Sequence, residues 1–329
     1  MRAHIGGVER LAREMALRLP AVAPGRYRVI APPSRLAHRA GHLWEQGLLP
    51  ALAARHPLLY SPANLAPVLY PRNAVVIHDA AALRHPEAYS ALYVAYQRRM
   101  LPALAHRARV LITVSEFSRG ELVDMLGVAP ERITVIPEGV DERFFAAAPD
   151  VGVAERYALP SRYVLALGTV SERKNLDVLG RAAGALAQRG VELVVAGSER
   201  GYLRGSAAGL RRLGYVAEAD LPALYAGAQA LAMPSRYEGF GLPCLEAMAA
   251  GTPVVAAARA ALPETVADAG LLVDPDHADA FAQALVSVIE DADTRAKLIA
   301  AGRHRAAQFS WSVTAARTDA TLVAALAPE

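Results

Sequence analysis

The chain has 329 residues, 53% of them apolar and 20% charged, and a net charge of +3. That length accommodates two domains with separate cores, and the balance is that of a soluble, globular protein. Basic residues are dispersed and never form a Lys/Arg run interleaved with aromatics, so no nucleic-acid partner is expected. The single cysteine, Cys244, excludes an internal disulfide framework and a multi-cysteine zinc site, and a reducing cytosol is the expected compartment. The opening MRAHIGGVERLAREMALRL is charged throughout and lacks the apolar run of a signal peptide or membrane span. Attachment to a membrane surface through Arg-rich helices stays open.

Along the chain, short β-branched runs alternate with longer helical stretches, which predicts parallel sheets covered by helices. The first half reads as a helix over Gly7–Leu19, a strand over Tyr27–Ala31, a helix over Gly41–Arg55 and a short strand over Leu58–Tyr60. A strand over Ala74–His78, a helix over Ser90–Arg107, a strand over Val110–Val114, a helix over Ser115–Gly127 and a strand over Ile133–Ile136 follow, and Pro137–Pro149 reads as a linker. The second half begins with a strand over Tyr163–Leu167, a helix over Asn175–Arg189 and a strand over Glu192–Ala196 closed by Gly197. A weaker segment near Leu213–Val216 precedes a helix over Leu221–Ala226, a strand over Ala230–Pro234, a helix over Pro243–Ala250 and a strand over Val254–Ala257. Helices over Ala278–Glu290 and Ala292–Gln308 complete it. Two successive βα series favour an α/β chain of two Rossmann-like domains, residues 1–149 and 150–308. The first helix begins almost at Met1, where such a unit ordinarily opens with a strand, so the first strand of the N-terminal sheet is expected to be missing.

Several segments carry chemistry. In MPSRYEGFGLPCLEAMAAGTPVVA, a strand runs into a loop containing Gly239 and Gly241, and Pro243 takes a favoured position in the first turn of a helix. Free backbone N–H groups then stand beside a positive helix end, where hydroxyls and anions bind. Glu238 and Glu246 bracket the loop with seven residues between them, and carboxylates so placed suit the vicinal diols of sugars and ribose. In LALGTVSERKNLDVL, Gly168 ends a strand, and Arg173 and Lys174 precede a helix that begins near Asn175. Two cations at the carboxyl end of a parallel strand are well placed to grip a diphosphate, although they oppose the helix dipole. Near the N-terminus, Gly6 and Gly7 lead into a helix and allow backbone to approach a phosphate. The strand Ala74–His78 delivers His78 and Asp79 to the edge of its sheet, Asp79 as a brace for the following turn. Ser115 stands where it can cap the next helix, with Ser118 in place of the Glu or Gln of a full capping box. Asp274 and Asp276 are spaced like a D-x-D metal motif but fall in a Pro-containing turn, and no metal is expected.

EGFGLPCLE resembles the E-x7-E signature of glycosyltransferase family 4, and GTVSERKN and VIPEGVD are similar to further segments of that family. The resemblance covers nearly the whole chain. It implies a GT-B fold, two Rossmann-like domains facing across a cleft, 1–149 on the acceptor side and 150–308 binding the nucleotide sugar, with a last helix in 309–329 packing back onto the first domain. It implies that Glu238 holds the donor sugar and Glu246 the nucleotide ribose, and that Arg173 and Lys174 neutralise the leaving diphosphate. Gly6, Gly7 and Gly168 would line the diphosphate site, His78 would lie near the donor's sugar and phosphate, and Gly239, Phe240, Gly241 and Leu242 would complete the nucleotide-sugar site. Many relatives carry Arg directly after the first glycine, where this chain has Thr169, and Asn where it has Glu138. Ser118 and Arg119 would line the cleft, in a region otherwise read as scaffold.

The reaction implied is metal-independent transfer of a hexose, with mannose as the first candidate, from a nucleoside-diphosphate sugar to a saccharide or lipid-linked acceptor, with retention at the anomeric carbon. The nucleotide sugar is the donor substrate, and no cofactor is implied. Bacterial mannosyltransferase-like members that build surface polysaccharides look most similar. The expected location is cytoplasmic, with a peripheral contact at the inner face of the plasma membrane left open. A GT-B epimerase or phosphorylase and an inactive, binding-only homologue remain alternatives.

Overall fold

The computed structural model describes residues 6–32, 41–197 and 209–327. The chain divides into two compact units: one takes Met1–Arg84, Val94–Gly139 and Trp311–Glu329, the other His85–Tyr93 and Val140–Ser310. Each is a parallel sheet with helical cover, as the alternation of periods predicts. No helix among the described residues is long and apolar enough to cross a membrane.

The first unit is built on four parallel strands in chain order: β1 (Leu59–Ser61), β2 (Asn73–Val76), β3 (Val110–Thr113) and β4 (Ile133–Val135). β2 is buried along its whole length, which is why its sequence is a near-continuous small and apolar run instead of an alternating one. Val75, Ile77, Leu104, Leu111, Leu122 and Ile133 meet in the core behind it. The helix Gly7–Val22 buries Leu11, Met15 and Leu19, a stripe with one residue per turn. It packs against the last helix, Trp311–Ala324, and that helix is further tied down where Thr314 donates to the Pro137 carbonyl at 2.8 Å.

The expected strand over Tyr27–Ala31 does not form. A strand needs a partner's ladder, and the side chains here are drawn elsewhere: Arg26 and the Tyr27 hydroxyl both donate to Asp319 of the last helix at 2.6 Å. The missing first strand is a matter of residues 1–5, which lie outside the described residues. Among the described residues the first strand is β1, and it occupies a sheet edge, not the centre. The expected linker holds a short helix, Glu142–Phe145, capped by the Asp141 carboxylate.

The second unit has six parallel strands: β5 (Tyr163–Leu167), β6 (Glu192–Ala196), β7 (Arg211–Gly214), β8 (Ala230–Met233), β9 (Val254–Ala257) and β10 (Leu271–Val273). Their order across the sheet is β10-β9-β8-β5-β6-β7. Chain order therefore reverses between β5 and β8, and in doubly wound sheets ligands bind outside the carboxyl ends of the strands at that reversal. Beyond β6, Gly197 has φ +153°, and a Cβ there would come within 1.9 Å of the Gly168 carbonyl oxygen, so only glycine lets these two strand exits lie so close.

Candidate functional site

The loops leaving β5 and β8 are stitched together. The expected helix over Asn175–Arg189 is broken at its start, because Asn175 adopts a left-handed conformation (φ 54°) between two 3-10 turns, and the regular helix begins only at Leu179. That conformation lets the Asn175 amide donate to the Pro234 carbonyl at 3.2 Å and to the Pro275 carbonyl at 2.7 Å. The Arg236 amide donates to the Arg173 carbonyl at 2.8 Å.

Between these loops lies a buried ion cluster. Lys174 Nζ donates to Glu238 Oε1 at 2.5 Å, and Arg173 Nη1 reaches Glu238 Oε2 at 3.4 Å and the Tyr237 carbonyl at 3.0 Å. Lys174 is 7% exposed and Glu238 8%. Burial pushes the Glu238 carboxyl up, but the Lys174 and Arg173 cations outweigh it and hold the group below the usual carboxylate range. Gly168 (φ +146°) lies beneath the lysine: a Cβ there would stand 2.9 Å from Lys174 Cε.

The chain after Glu238 returns to the core. Phe240 packs edge-on against Phe309 with ring centroids 5.9 Å apart, and its carbonyl accepts from Thr265. Gly241 (φ +101°) caps the helix Leu242–Ala249, and a Cβ there would stand 2.8 Å from Leu262 Cδ2. The side chains of Phe240 and Leu242 are thus packing groups, and this loop offers a ligand its backbone and the helix end. On that helix Glu246 is 2% exposed and accepts from the Tyr225 hydroxyl at 2.9 Å. Cys244 is fully buried beside it, its thiol pushed up by burial.

In the first unit, His78 follows β2 with both ring nitrogens engaged. Nδ1 faces Glu138 Oε1 at 3.2 Å, and Nε2 lies 2.9 Å from the Pro62 carbonyl. Burial pulls His78 down, but the Glu138 carboxylate more than offsets it, and the imidazole lies above its ordinary value. Ser118 donates to the His78 carbonyl at 2.9 Å, and the Ser118 amide in turn donates to Ser115, which caps the helix Glu116–Leu126. Asp79 accepts from the Ala81 amide, bracing the turn. The Gly6 amide donates to Glu9 Oε2 at 3.1 Å, whereas a Cβ on Gly7 would meet nothing within 4 Å, so packing gives no reason for glycine at that position.

Of the residues expected from sequence, Gly168, Arg173, Lys174 and Glu238 come together, and Glu246 stands on the helix that leaves the same loop. Gly6, Gly7 and His78 belong to the first unit. Asp276 bonds Arg236 and Arg259, both at 2.9 Å, and Asp274 accepts from the Asp276 amide, so the D-x-D pair serves as a surface ion network. Sequence reasoning missed Tyr225, Asn175 and the pairing of Glu138 with His78. The Glu at 138 where relatives carry Asn was the available signal for the last of these.

Comparison with known proteins bears on the family and the fold. The family model described as Glycosyltransferase Family 4 matches residues 42–144, and that described as Glycosyl transferases group 1 matches residues 161–291. The chain is 33% identical over 299 residues to the O-antigen chain mannosyltransferase B of Escherichia coli, covering 84% of this chain and 75% of that protein. It is 40% identical over 233 residues to the D-inositol 3-phosphate glycosyltransferase of Salinispora arenicola, and this match spans 62% of this chain and about half (52%) of that relative's length. Among solved structures, Anabaena Alr3699/HepE in complex with UDP-glucose aligns over 98% of both chains with a TM-score of 0.74 at 21% identity. On the strength of these relatives and of its two parallel-sheet units, the chain belongs to glycosyltransferase family 4 and is a glycosyltransferase.

Proposed function

We propose that the chain moves a hexosyl residue from a nucleoside-diphosphate sugar to a hydroxyl of a saccharide or lipid-linked acceptor, with retention and without a metal ion. The observation that carries this reading is the buried Lys174–Glu238 contact at the β5/β8 reversal, with Arg173 alongside. An ammonium has three donors. One serves Glu238, and the others suit the oxygens of a departing diphosphate, so Lys174 and Arg173 supply the charge that a divalent ion supplies elsewhere. Held ionised, Glu238 accepts from sugar hydroxyls and fixes the ring. Glu246, oriented by Tyr225, accepts from the ribose diol. In the first unit, His78 and the Gly6–Gly7 backbone are the groups assigned to the donor's phosphate and sugar.

In the reaction the bond from the anomeric carbon to the phosphate oxygen breaks. The acceptor oxygen bonds that carbon on the same face, and its proton passes to the leaving phosphate. No pair of carboxylates is assigned to a glycosidase-like double displacement. The relatives support the donor class: one is named a mannosyltransferase, and a structural neighbour holds UDP-glucose. With a lipid-linked acceptor the chain would work at the inner face of the plasma membrane.

The test is incubation with GDP-mannose, UDP-glucose and related donors, with and without EDTA, followed by NMR of the product's anomeric proton. Release of nucleoside diphosphate that survives EDTA, with the donor's anomeric configuration kept, supports the reading. An inverted product, or activity lost to EDTA and restored by magnesium or manganese, contradicts it.

A further inference from the structure

His78, at the exit of β2, is bonded to the exits of the other three strands of the first sheet. After β1, the Pro62 carbonyl lies 2.9 Å from His78 Nε2, and the Asn64 side-chain oxygen accepts from the His78 amide at 2.7 Å. After β3, the Ser118 hydroxyl donates to the His78 carbonyl at 2.9 Å, and after β4, Glu138 Oε1 stands 3.2 Å from His78 Nδ1. All four polar atoms of His78 are thus engaged. Asn64 holds its place in a left-handed conformation (φ 60°), with its own amide donating to the Val76 carbonyl at 3.0 Å. Open α/β sheets carry their ligands at the carboxyl ends of the strands, so these contacts set the shape of the ligand-bearing edge.

The two ring contacts together select a protonation state. A neutral imidazole has one N–H and one lone pair. Here both nitrogens face groups that accept, a backbone carbonyl on one side and a carboxylate on the other. A neutral ring turns its lone pair against one of them, whereas the doubly protonated imidazolium bonds both. His78 is 5% exposed and Glu138 4%, so each charge depends on the other for its partner. Among the described residues, the other titratable groups facing the pair are Asp79 and Tyr60. The Asp79 carboxylate favours the imidazolium as Glu138 does, and burial pushes the Tyr60 hydroxyl up, which keeps it neutral. Held this way, the ring has no lone pair with which to act as a base.

We propose that Glu138 is a positioning residue for transfer: it keeps His78 a doubly protonated bridge between the strand exits, and the ligand-bearing edge of the first unit works only while that bridge holds both protons. This rests on the transferase reading above and adds a pH control to it. The control belongs to the glutamate that this chain carries. Asn, which many relatives have at this position, leaves the ring without a carboxylate, so Glu138→Asn should move the control to lower pH as Glu138→Gln does.

Transfer is measured from about pH 5.5 to about pH 9.5 for wild type, Glu138→Gln and Glu138→Asn, with Tm recorded at each pH. Long-range proton–nitrogen NMR follows the His78 ring over the same range, its signals identified by their loss in His78→Gln. In wild type, both ring nitrogens are expected to hold protons up to a midpoint above the ordinary 6.5, and kcat/KM should fall with that same midpoint. Both midpoints should drop by about one pH unit or more in the two Glu138 variants. The proposal is overturned if the His78 midpoint in wild type lies at or below its ordinary value, or if it does not move in the variants. It is equally overturned if the alkaline limb of transfer stays in place while the His78 midpoint moves, or if that limb merely follows unfolding as read by Tm. Absence of transfer by wild type from every donor would instead count against the transferase reading, with the NMR midpoints still testing the bridge.

Discussion

Lys174 and Glu238 lie 64 residues apart in sequence and 2.5 Å apart in space, on the exits of neighbouring parallel strands. The contact does two things at once. It satisfies two buried charges that would each be costly alone, and it ties the exits of β5 and β8 together.

Removing one partner therefore strands the other. Lys174→Met leaves a buried carboxylate with the Arg173 cation at 3.4 Å in place of the closer lysine, and the second unit should lose about 3–5 kcal/mol. Lys174→Met/Glu238→Gln should lose clearly less than the sum of the two single changes. Urea titration followed by a probe in the second unit measures this. Additive losses would mean that the pair is not coupled.

Gly197 is the backbone counterpart of that pair. Its φ of +153°, and the 1.9 Å that would separate a Cβ at this position from the Gly168 carbonyl oxygen, leave no room for a side chain. Gly197→Ala should cost at least about 2 kcal/mol and displace the β5 exit, lowering turnover as well as Tm. An alanine variant with wild-type melting and turnover would show that the two exits need not touch.

The His78–Glu138 contact gives the first unit a pH signature. Burial pulls His78 down and Glu138 more than reverses this, so folding favours the imidazolium. Its stabilisation is fully present below the ordinary value of 6.5 and fades as pH rises through the higher folded value. The Tm gap between wild type and Glu138→Gln should be wide at about pH 6 and narrow by about pH 9. A gap that widens with rising pH would reverse the assignment.

Glu246→Ala should weaken nucleoside-diphosphate binding by roughly 1.5–3 kcal/mol, because the ribose diol loses a charged acceptor. Tyr225→Phe should weaken it less, since Tyr225 only orients the carboxylate at 2.9 Å. Calorimetry with GDP and UDP reads both, and unchanged affinity in Glu246→Ala would remove the residue from the ribose site.

Much of the fold is legible in the amino-acid sequence. β5, β6 and β9 and the helices Leu221–Ala226 and Ala278–Glu290 stand within the bounds that periodicity and flanking Gly, Pro and Asp assign. Buried parallel strands write themselves as short apolar runs, and amphipathic helices as stripes. Tyr27–Ala31 reads the same way, but a strand also depends on a partner's ladder, and no local pattern reports that Tyr27 is bound to Asp319. The site divides along the same line. Residue types and loop positions disclose Arg173, Lys174, Glu238 and Glu246 separately. That Lys174 bonds Glu238, that Tyr225 bonds Glu246 and that Glu138 faces His78 are consequences of how distant segments fold together, and spacing along the chain does not encode them.

The role proposed for Glu238 is to act on the sugar and not on the nucleotide. Its most direct test is Glu238→Gln, which keeps the size and one hydrogen-bonding oxygen while removing the charge. Steady-state transfer and calorimetric nucleoside-diphosphate affinity are measured on the same preparation. The expected result is a fall in kcat of about a hundredfold or more, the size of about 2.7 kcal/mol of lost transition-state stabilisation, with nucleotide Kd within about twofold of wild type. Near-wild-type kcat, or a nucleotide Kd weakened as much as in Glu246→Ala, would contradict it.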